Sequence, residues 1–263
     1  MHDWRSYDDV AELYERVHAP RFIEPARDLL AVAEIGSGAG VLDVGTGTGV
    51  AAEAARESGA TAVGIDPSLG MLRVAARARP QTPFVAAEAI DLPFRDGTFD
   101  VVIANFVLAH FTKPKTALYD LLRVTRTGGR VAFSSWSDGP DAFTNAWLEL
   151  VYDVVPREMI EPSVADAIPN HERFRRRDAV EETLRDAGLA HVRTEPASYE
   201  WRYTRDDFVA GLEVWATGRF VRQMLGEAGW ASFMQRARST FAARFPDPLH
   251  DRRDVILAVG TKP

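Results

Sequence analysis

The chain has 263 residues, 46% hydrophobic and 26% charged, which is the composition of a globular protein with enough apolar mass to bury a core. Lys and Arg number 31 against 38 Asp and Glu, a formal charge of −7, so the basic field that a phosphate backbone requires is missing and no nucleic-acid partner is expected. Cysteine is absent, which excludes disulfides, thiol catalysis and iron–sulfur ligation.

Met1-His2-Asp3-Trp4-Arg5 shows no signal-peptide pattern, and no apolar run approaches the ~20 residues of a membrane span. A cytoplasmic protein with no membrane span is expected. Val41-Leu42-Asp43-Val44-Gly45 reads as a buried strand that stops at glycine, and Val50 to Glu57 as a helix closed by Gly59. The next strand, Ala62-Val63-Gly64-Ile65, ends at Asp66 and completes a βαβ unit. The pattern repeats with a helix over 69–78, strands at 84–86 and 101–104, a helix over 115–124 terminated by Gly128-Gly129, and a fifth strand over 130–134. Five strands alternating with helices predict an α/β fold, a parallel sheet covered on both faces.

Beyond Trp136 the rhythm changes. Residues 141–155 have helical spacing, and Pro156, Pro162 and Pro169 predict an irregular stretch. A helix over 177–187 leads to a strand around 191–193. Two aromatic-rich helical stretches fall between 206 and 245, and a last strand covers 254–259. The late helices therefore read as a cap inserted before the final strand. The whole is expected to be one domain. Residues 1–35 would form lid helices, 36–136 the cofactor-binding core, 137–190 and 203–250 a variable acceptor-binding cap, and 251–263 the final strand.

Gly45-Thr46-Gly47-Thr48-Gly49 lies between a strand and a helix, where side chains would keep a ligand from the backbone N–H groups and the positive helix end. Asp66, at the next strand's carboxyl end, can accept from a ribose diol. Two ligand classes meet these terms, a dinucleotide and a nucleoside carrying an amino acid. The spacing is G-x-G-x-G, with Val50 where the dinucleotide fingerprint has its third glycine, which disfavours NAD; no lysine precedes residue 113, which excludes a P-loop. Asp43 would repel a pyrophosphate but could orient an ammonium, so a cationic amino-acid head fits better.

Val41 to Gly49 resembles the first motif of class I S-adenosylmethionine-dependent methyltransferases, and Val63 to Leu72 resembles their second block. Ala87 to Asp100 is similar to the G-D-A-x-x-L-P-F-x-D-x-x-F-D segment of the subgroup that includes ubiquinone/menaquinone and natural-product methyltransferases. Ile103 to Phe111 and Gly128 to Val131 continue the likeness, which covers about residues 38–135. The resemblance implies a Rossmann-like, seven-stranded, mostly parallel sheet and S-adenosylmethionine as cofactor, with S-adenosylhomocysteine as product. It implies that Gly45 and Gly47 approach the methionine part, Asp43 supports its ammonium, Asp66 binds both ribose hydroxyls and Met71 lies against adenine. Glu88 would accept from the exocyclic amine, the Ala89 N–H would reach a ring nitrogen, and Asn105 would offer its backbone carbonyl; Thr46, Gly49 and Pro67 complete the set. Ala87-Glu88 replaces the usual Gly-Asp.

Methyl transfer is an in-line displacement that needs a base only if the acceptor must lose a proton. His110 is the candidate base, with Tyr14 and His18 approaching from a segment, Tyr7 to Tyr14, similar to the subgroup's lid. Asp138, Asp141 and His171 flank the expected acceptor pocket, whose aromatic lining would come from Trp147, Trp215, Phe220 and Trp230. No metal-ligand spacing occurs. The expected activity is methylation of a small organic acceptor, apolar or aromatic, by a monomer or homodimer. Two alternatives are a non-methylating S-adenosylmethionine enzyme (cyclisation or decarboxylation) and a non-catalytic cofactor-binding protein.

Overall fold

Apolar runs buried on both faces dictate one central sheet. The computed structural model describes residues 6–137, 139 and 141–263, so Asp138 lies outside the described residues. Among these, seven strands pair: β1 (Gly40–Val44), β2 (Thr61–Asp66), β3 (Phe84–Ala86), β4 (Phe99–Asn105), β5 (Thr125–Trp136), β6 (Ala190–Tyr203) and β7 (Leu249–Thr261), in the order β3-β2-β1-β4-β5-β7-β6. Pairing is parallel from β3 through β5, and β7 runs antiparallel to both β5 and β6. The sheet is thus mostly parallel, as the motifs imply.

Successive strand residues point to opposite faces. Val41, Val101, Ile103, Ala132, Val255 and Leu257 face one core, packed against α2 (Ile23–Val32) and α3 (Val50–Glu57). Leu42, Val44, Val102, Ala104, Val131 and Phe133 face the other, where α5 (Pro114–Val124) and α9 (Arg177–Asp186) contribute Leu118, Leu121, Val180 and Leu184. The remaining described helices are α1 (Ala11–Val17), α4 (Leu69–Ala78), α6 (Ala142–Tyr152), α7 (Arg157–Ala167), α8 (His171–Phe174), α10 (Arg205–Gly211) and α11 (Ala216–Arg244). Of these, α6, α7, α10 and α11 have a core of their own, built on Trp147, Ile160, Phe208, Trp230, Phe233 and Phe241. The second half of this cap, α10 and α11, lies between β6 and β7 as an insertion before the last strand, whereas α6 and α7 lie between β5 and β6.

Four expectations need correction. The stretch over 156–169 is not irregular: Pro156 precedes α7, Pro162 lies within it, and the helix ends before Pro169. Ile160, 1% exposed in the cap core, repays the hydrogen bond that Pro162 removes. Gly128-Gly129 does not terminate the helix, which yields at Thr125 directly to β5; an added Cβ on Gly129 would stand 2.8 Å from the Asp100 carbonyl, so the glycine serves close strand approach. The strand at 191–193 extends over 190–203. It is the sheet's edge, where Pro196 costs no ladder bond on its open side, and its charged alternation hid its length. The last strand starts at Leu249 rather than 254. The long helix α11 also breaks direction at Gly226, whose φ of +65° and ψ of 175° are non-helical.

Candidate active site

The glycine turn joins β1 to α3 with Gly45, Gly47 and Gly49 all in the left-handed region, at φ +68°, +55° and +93°. A Cβ on Gly45 would meet Val107 Cγ2 at 2.5 Å, and one on Gly49 would meet the Phe84 ring, so sterics as well as dihedrals require glycine there. Asp43 organises the turn: its Oδ2 accepts from Thr46 Oγ1 at 2.5 Å and from the Ala52 N–H at 3.0 Å. Its Oδ1 is buried with no partner, and so is Thr48 Oγ1; both residues line one cavity together with Gly45, Thr46, Tyr14, Phe22 and Asn105. Burial pushes the Asp43 carboxyl up to about 7, and the Asp66 charge adds to that shift. A cationic group placed in this cavity would satisfy Oδ1 and hold Asp43 ionised, so the residues present fit a ligand with an ammonium head.

Asp66 ends β2 within reach of the same turn. Its carboxylate accepts from the Gly47 and Ser68 N–H groups, both at 2.9 Å, and burial raises its pKa. The cavity is about 20 Å³, room for one water and far below the ~300 Å³ of a small-ligand site. The lid is what fills it. Tyr14, on α1, stands 3.9 Å from the Cβ position of Gly47 and stacks on Phe22 at 6.0 Å and 14°.

Several contacts fasten that lid. Asp8 Oδ1 accepts from Ser68 Oγ at 2.7 Å and from the Gly70 N–H at 2.6 Å, at the start of α4, and these bonds hold its pKa below the ordinary carboxylate range. Glu15 pairs with Arg79, which also donates to the Thr48 carbonyl at 2.7 Å. His18 Nε2 bonds the Gly211 carbonyl at 2.9 Å; since a carbonyl only accepts, that nitrogen carries the proton. Burial pushes His18 down to about 4, so the ring is neutral and tied to the cap. Burial also raises the Tyr14 hydroxyl above its usual range, leaving it a donor rather than a base.

At the end of β4 the backbone is strained. Phe106 has φ +59°, a cost of about 1–3 kcal/mol in a non-glycine residue. Its N–H donates to Ser134 Oγ at 2.9 Å, and that hydroxyl donates to Asn105 Oδ1 at 2.6 Å. The turn aims the Phe106 ring at Trp136, 4.2 Å away and nearly stacked, with Phe22 at 5.2 Å. Arg21, 9% exposed, lies over Trp136 and Trp201 at 5.0 and 4.7 Å. His110 follows, its ring edge-on to Tyr7 at 6.2 Å; burial, then Arg219 and His171, push it down to about 4.

Asp43, Gly45, Thr46, Gly47, Gly49, Asp66, Asn105 and Tyr14 are therefore gathered at one point. Met71 is buried against Tyr7, Ala11 and Tyr14, between the lid and α4. Glu88 and Pro67 are exposed and Ala89 half-buried on the flank beyond β2 and β3. Asp141 caps α6 through the Thr144 N–H and pairs with Arg253 at 2.8 Å, and Trp147 and Trp230 are cap core rather than pocket lining. Sequence reasoning missed Phe106, Trp136, Arg21 and Arg219. The first two lie two residues beyond the strands assigned at 101–104 and 130–134, so a search for aromatics just past those ends finds them; the arginines carry no local signal. No group of three or more metal-ligating side chains occurs among the described residues.

A doubly wound sheet with a glycine turn after β1 and an acid at the end of β2 is a Rossmann-like architecture whose ligand site lies at the carboxyl ends of the strands. Residues 42–133 match the family described as methyltransferase domain. The core of the chain is similar to that of class I S-adenosylmethionine-dependent methyltransferases, those of the quinone type among them. It is 37% identical to the demethylmenaquinone methyltransferase of Renibacterium salmoninarum over 57% of this chain and 65% of that protein. Against the enzyme of the same name from Paenarthrobacter aurescens identity is 27%, over 88% of this chain and 79% of that protein. The match thus spans just under two thirds of the first relative's length. Among solved structures, the YcgJ protein from Bacillus subtilis has a TM-score of 0.58 at 20% identity, covering 91% of this chain and 98% of that one. Haemonchus contortus phosphoethanolamine N-methyltransferase 2, in complex with S-adenosyl-L-methionine, has 0.60 at 17%, covering 100% of this chain and 60% of that one. At these identities the structures speak for the fold. No helix among the described residues is long and apolar enough to cross a membrane.

Proposed function

We propose that this chain transfers a methyl group from S-adenosylmethionine to a small, flat, quinol-like acceptor. The observation that carries the reading is the pair of buried, unpartnered oxygens, Asp43 Oδ1 and Thr48 Oγ1, in a cavity formed by the glycine turn, with Asp66 bonded to the same turn. When bound, the cofactor supplies an electrophilic sulfonium methyl. Asp43 would take its ammonium, Asp66 its ribose hydroxyls, and the backbone at Gly45, Gly47 and Asn105 its amino-acid tail. Met71 would lie against the adenine, with Glu88 and Ala89 at its edge; Thr46, Gly49 and Pro67 shape the loop. Since the lid fills the cavity, Tyr14 and Phe22 must move aside for entry and close again to exclude water.

His110 is the proton acceptor in this reading. Burial holds His110 down to about 4, so the imidazole is neutral at pH 7 and able to accept a proton, as a weak base whose imidazolium the acceptor oxyanion must stabilise. His18 donates through Nε2 to the Gly211 carbonyl, which leaves Nδ1 as its accepting nitrogen and fixes the ring between lid and cap; it is given that fastening role. The aromatic wall of Phe106 and Trp136 favours a flat acceptor, in keeping with the name of the menaquinone relatives. The test is formation of methylated product and one equivalent of S-adenosylhomocysteine from a naphthoquinol. His110→Ala should lower turnover by ~10²-fold or more with cofactor binding kept; unchanged turnover would remove His110 from the mechanism, and an acceptor consumed while S-adenosylmethionine stays intact would favour non-methylating chemistry.

A further inference from the structure

Arg219 lies in the first turn of α11, part of the cap, yet only 6% of it is exposed. Burying a guanidinium is expensive unless the surroundings hold it. Here its Cζ stands 4.0 Å from the centroid of the Tyr7 ring, and its Nη1 donates to the Val214 carbonyl. His110 meets the same tyrosine ring edge-on at 6.2 Å. Three distant parts of the chain, the lid, the end of β4 and the cap, therefore bring a permanent cation and an imidazole to one aromatic ring. The loop bearing His110 is fixed from behind: the Asn170 N–H donates to the Ala109 carbonyl at 3.1 Å and its side-chain amide to the Phe111 carbonyl at 2.7 Å. The imidazole faces a cation, which works against its own protonation and in favour of any anion formed beside it.

We propose that Arg219 is a specificity-determining residue for the methyl acceptor: it receives the oxygen of an acidic ring hydroxyl, a phenol or enol, whose proton passes to His110. This rests on the methyl-transfer reading above. In the step the O–H bond breaks, the proton goes to an imidazole nitrogen, and the electron pair stays on the acceptor oxygen as an oxyanion opposite the guanidinium. An amine acceptor gains nothing from this arrangement, because its ammonium form is repelled by the same charge. The site thus selects by charge as well as by flatness.

The probes are 1-naphthol and its methyl ether, 1-methoxynaphthalene, titrated calorimetrically into protein saturated with S-adenosylhomocysteine. Wild type should bind the naphthol about 10-fold or more tighter than the ether. Arg219→Gln should bring the two within about 2-fold, and Arg219→Lys, which keeps the charge but not the fork, should retain part of the preference. S-adenosylhomocysteine affinity should stay within about 3-fold of wild type in both variants, since the residue lies on the acceptor side. A wild type without naphthol preference overturns the inference whatever the variants do, and so does an Arg219→Gln protein that keeps the preference. Failure of wild type to bind S-adenosylhomocysteine would instead overturn the methyl-transfer reading.

Discussion

In the core over 36–136 each chemical group stands at the end of a strand: Asp43 and the glycine turn after β1, Asp66 at the end of β2, Asn105 at the end of β4. In the cap the corresponding groups hang from helices packed on a separate core, and Arg219 reaches the site only because α11 is held, through Phe233 and Phe241, against Trp147 and Phe208. The first arrangement is fixed by sheet register, the second by side-chain packing. Donor binding should therefore tolerate damage to the cap, while acceptor recognition should not. The lid belongs to both, bonded to α4 through Asp8 and to the cap through His18 and the Arg16–Asp207 ion pair.

The strongest attempt to break this contrast is a cavity in the cap. Trp147 is fully buried, and its Nε1 donates to Thr217 Oγ1 at 2.8 Å. Trp147→Ala should destabilise the protein by about 3–5 kcal/mol in denaturant titration. Below the transition, S-adenosylhomocysteine affinity should shift by less than about 3-fold while naphthol binding is lost. Equal loss of both would show that the two regions are one cooperative site.

A smaller effect sharpens the donor side. The unliganded protein holds a proton on Asp43 up to about pH 7, whereas an ammonium in the cavity requires the carboxylate. Binding below pH 7 must therefore expel that proton, so affinity should rise with pH through this range, by up to about 10-fold per unit on the acid side. Asp43→Asn should bind more weakly at pH 8 and show a flat profile from 6 to 8. A flat profile in wild type would remove Asp43 from ammonium binding.

The same contrast governs how much was legible in the sequence. Val41 to Gly49 and Val63 to Asp66 could be placed because a buried strand, a glycine turn and an acid at a strand end occupy consecutive residues. The edge strand β6 was cut to three residues because only one of its faces is apolar, and Pro162 was read as a breaker because the burial of Ile160 depends on distant partners. Arg219 and Arg21 look like any of the chain's many arginines until the fold sets them against Tyr7 and Trp136. Trp147 and Trp230 were assigned to a pocket because an aromatic at helical spacing has the same signature whether it faces a ligand or a core.

The claim beneath the whole account is that the turn at 45–49 and the acid at 66 together bind the donor, and calorimetry with S-adenosylhomocysteine tests it with one substitution. Wild type should bind with a stoichiometry of one, and Asp66→Ala, folded to the same extent, should lose about 100-fold in affinity, the worth of two hydrogen bonds to a charged acceptor. Equal affinity in the two proteins would contradict the account.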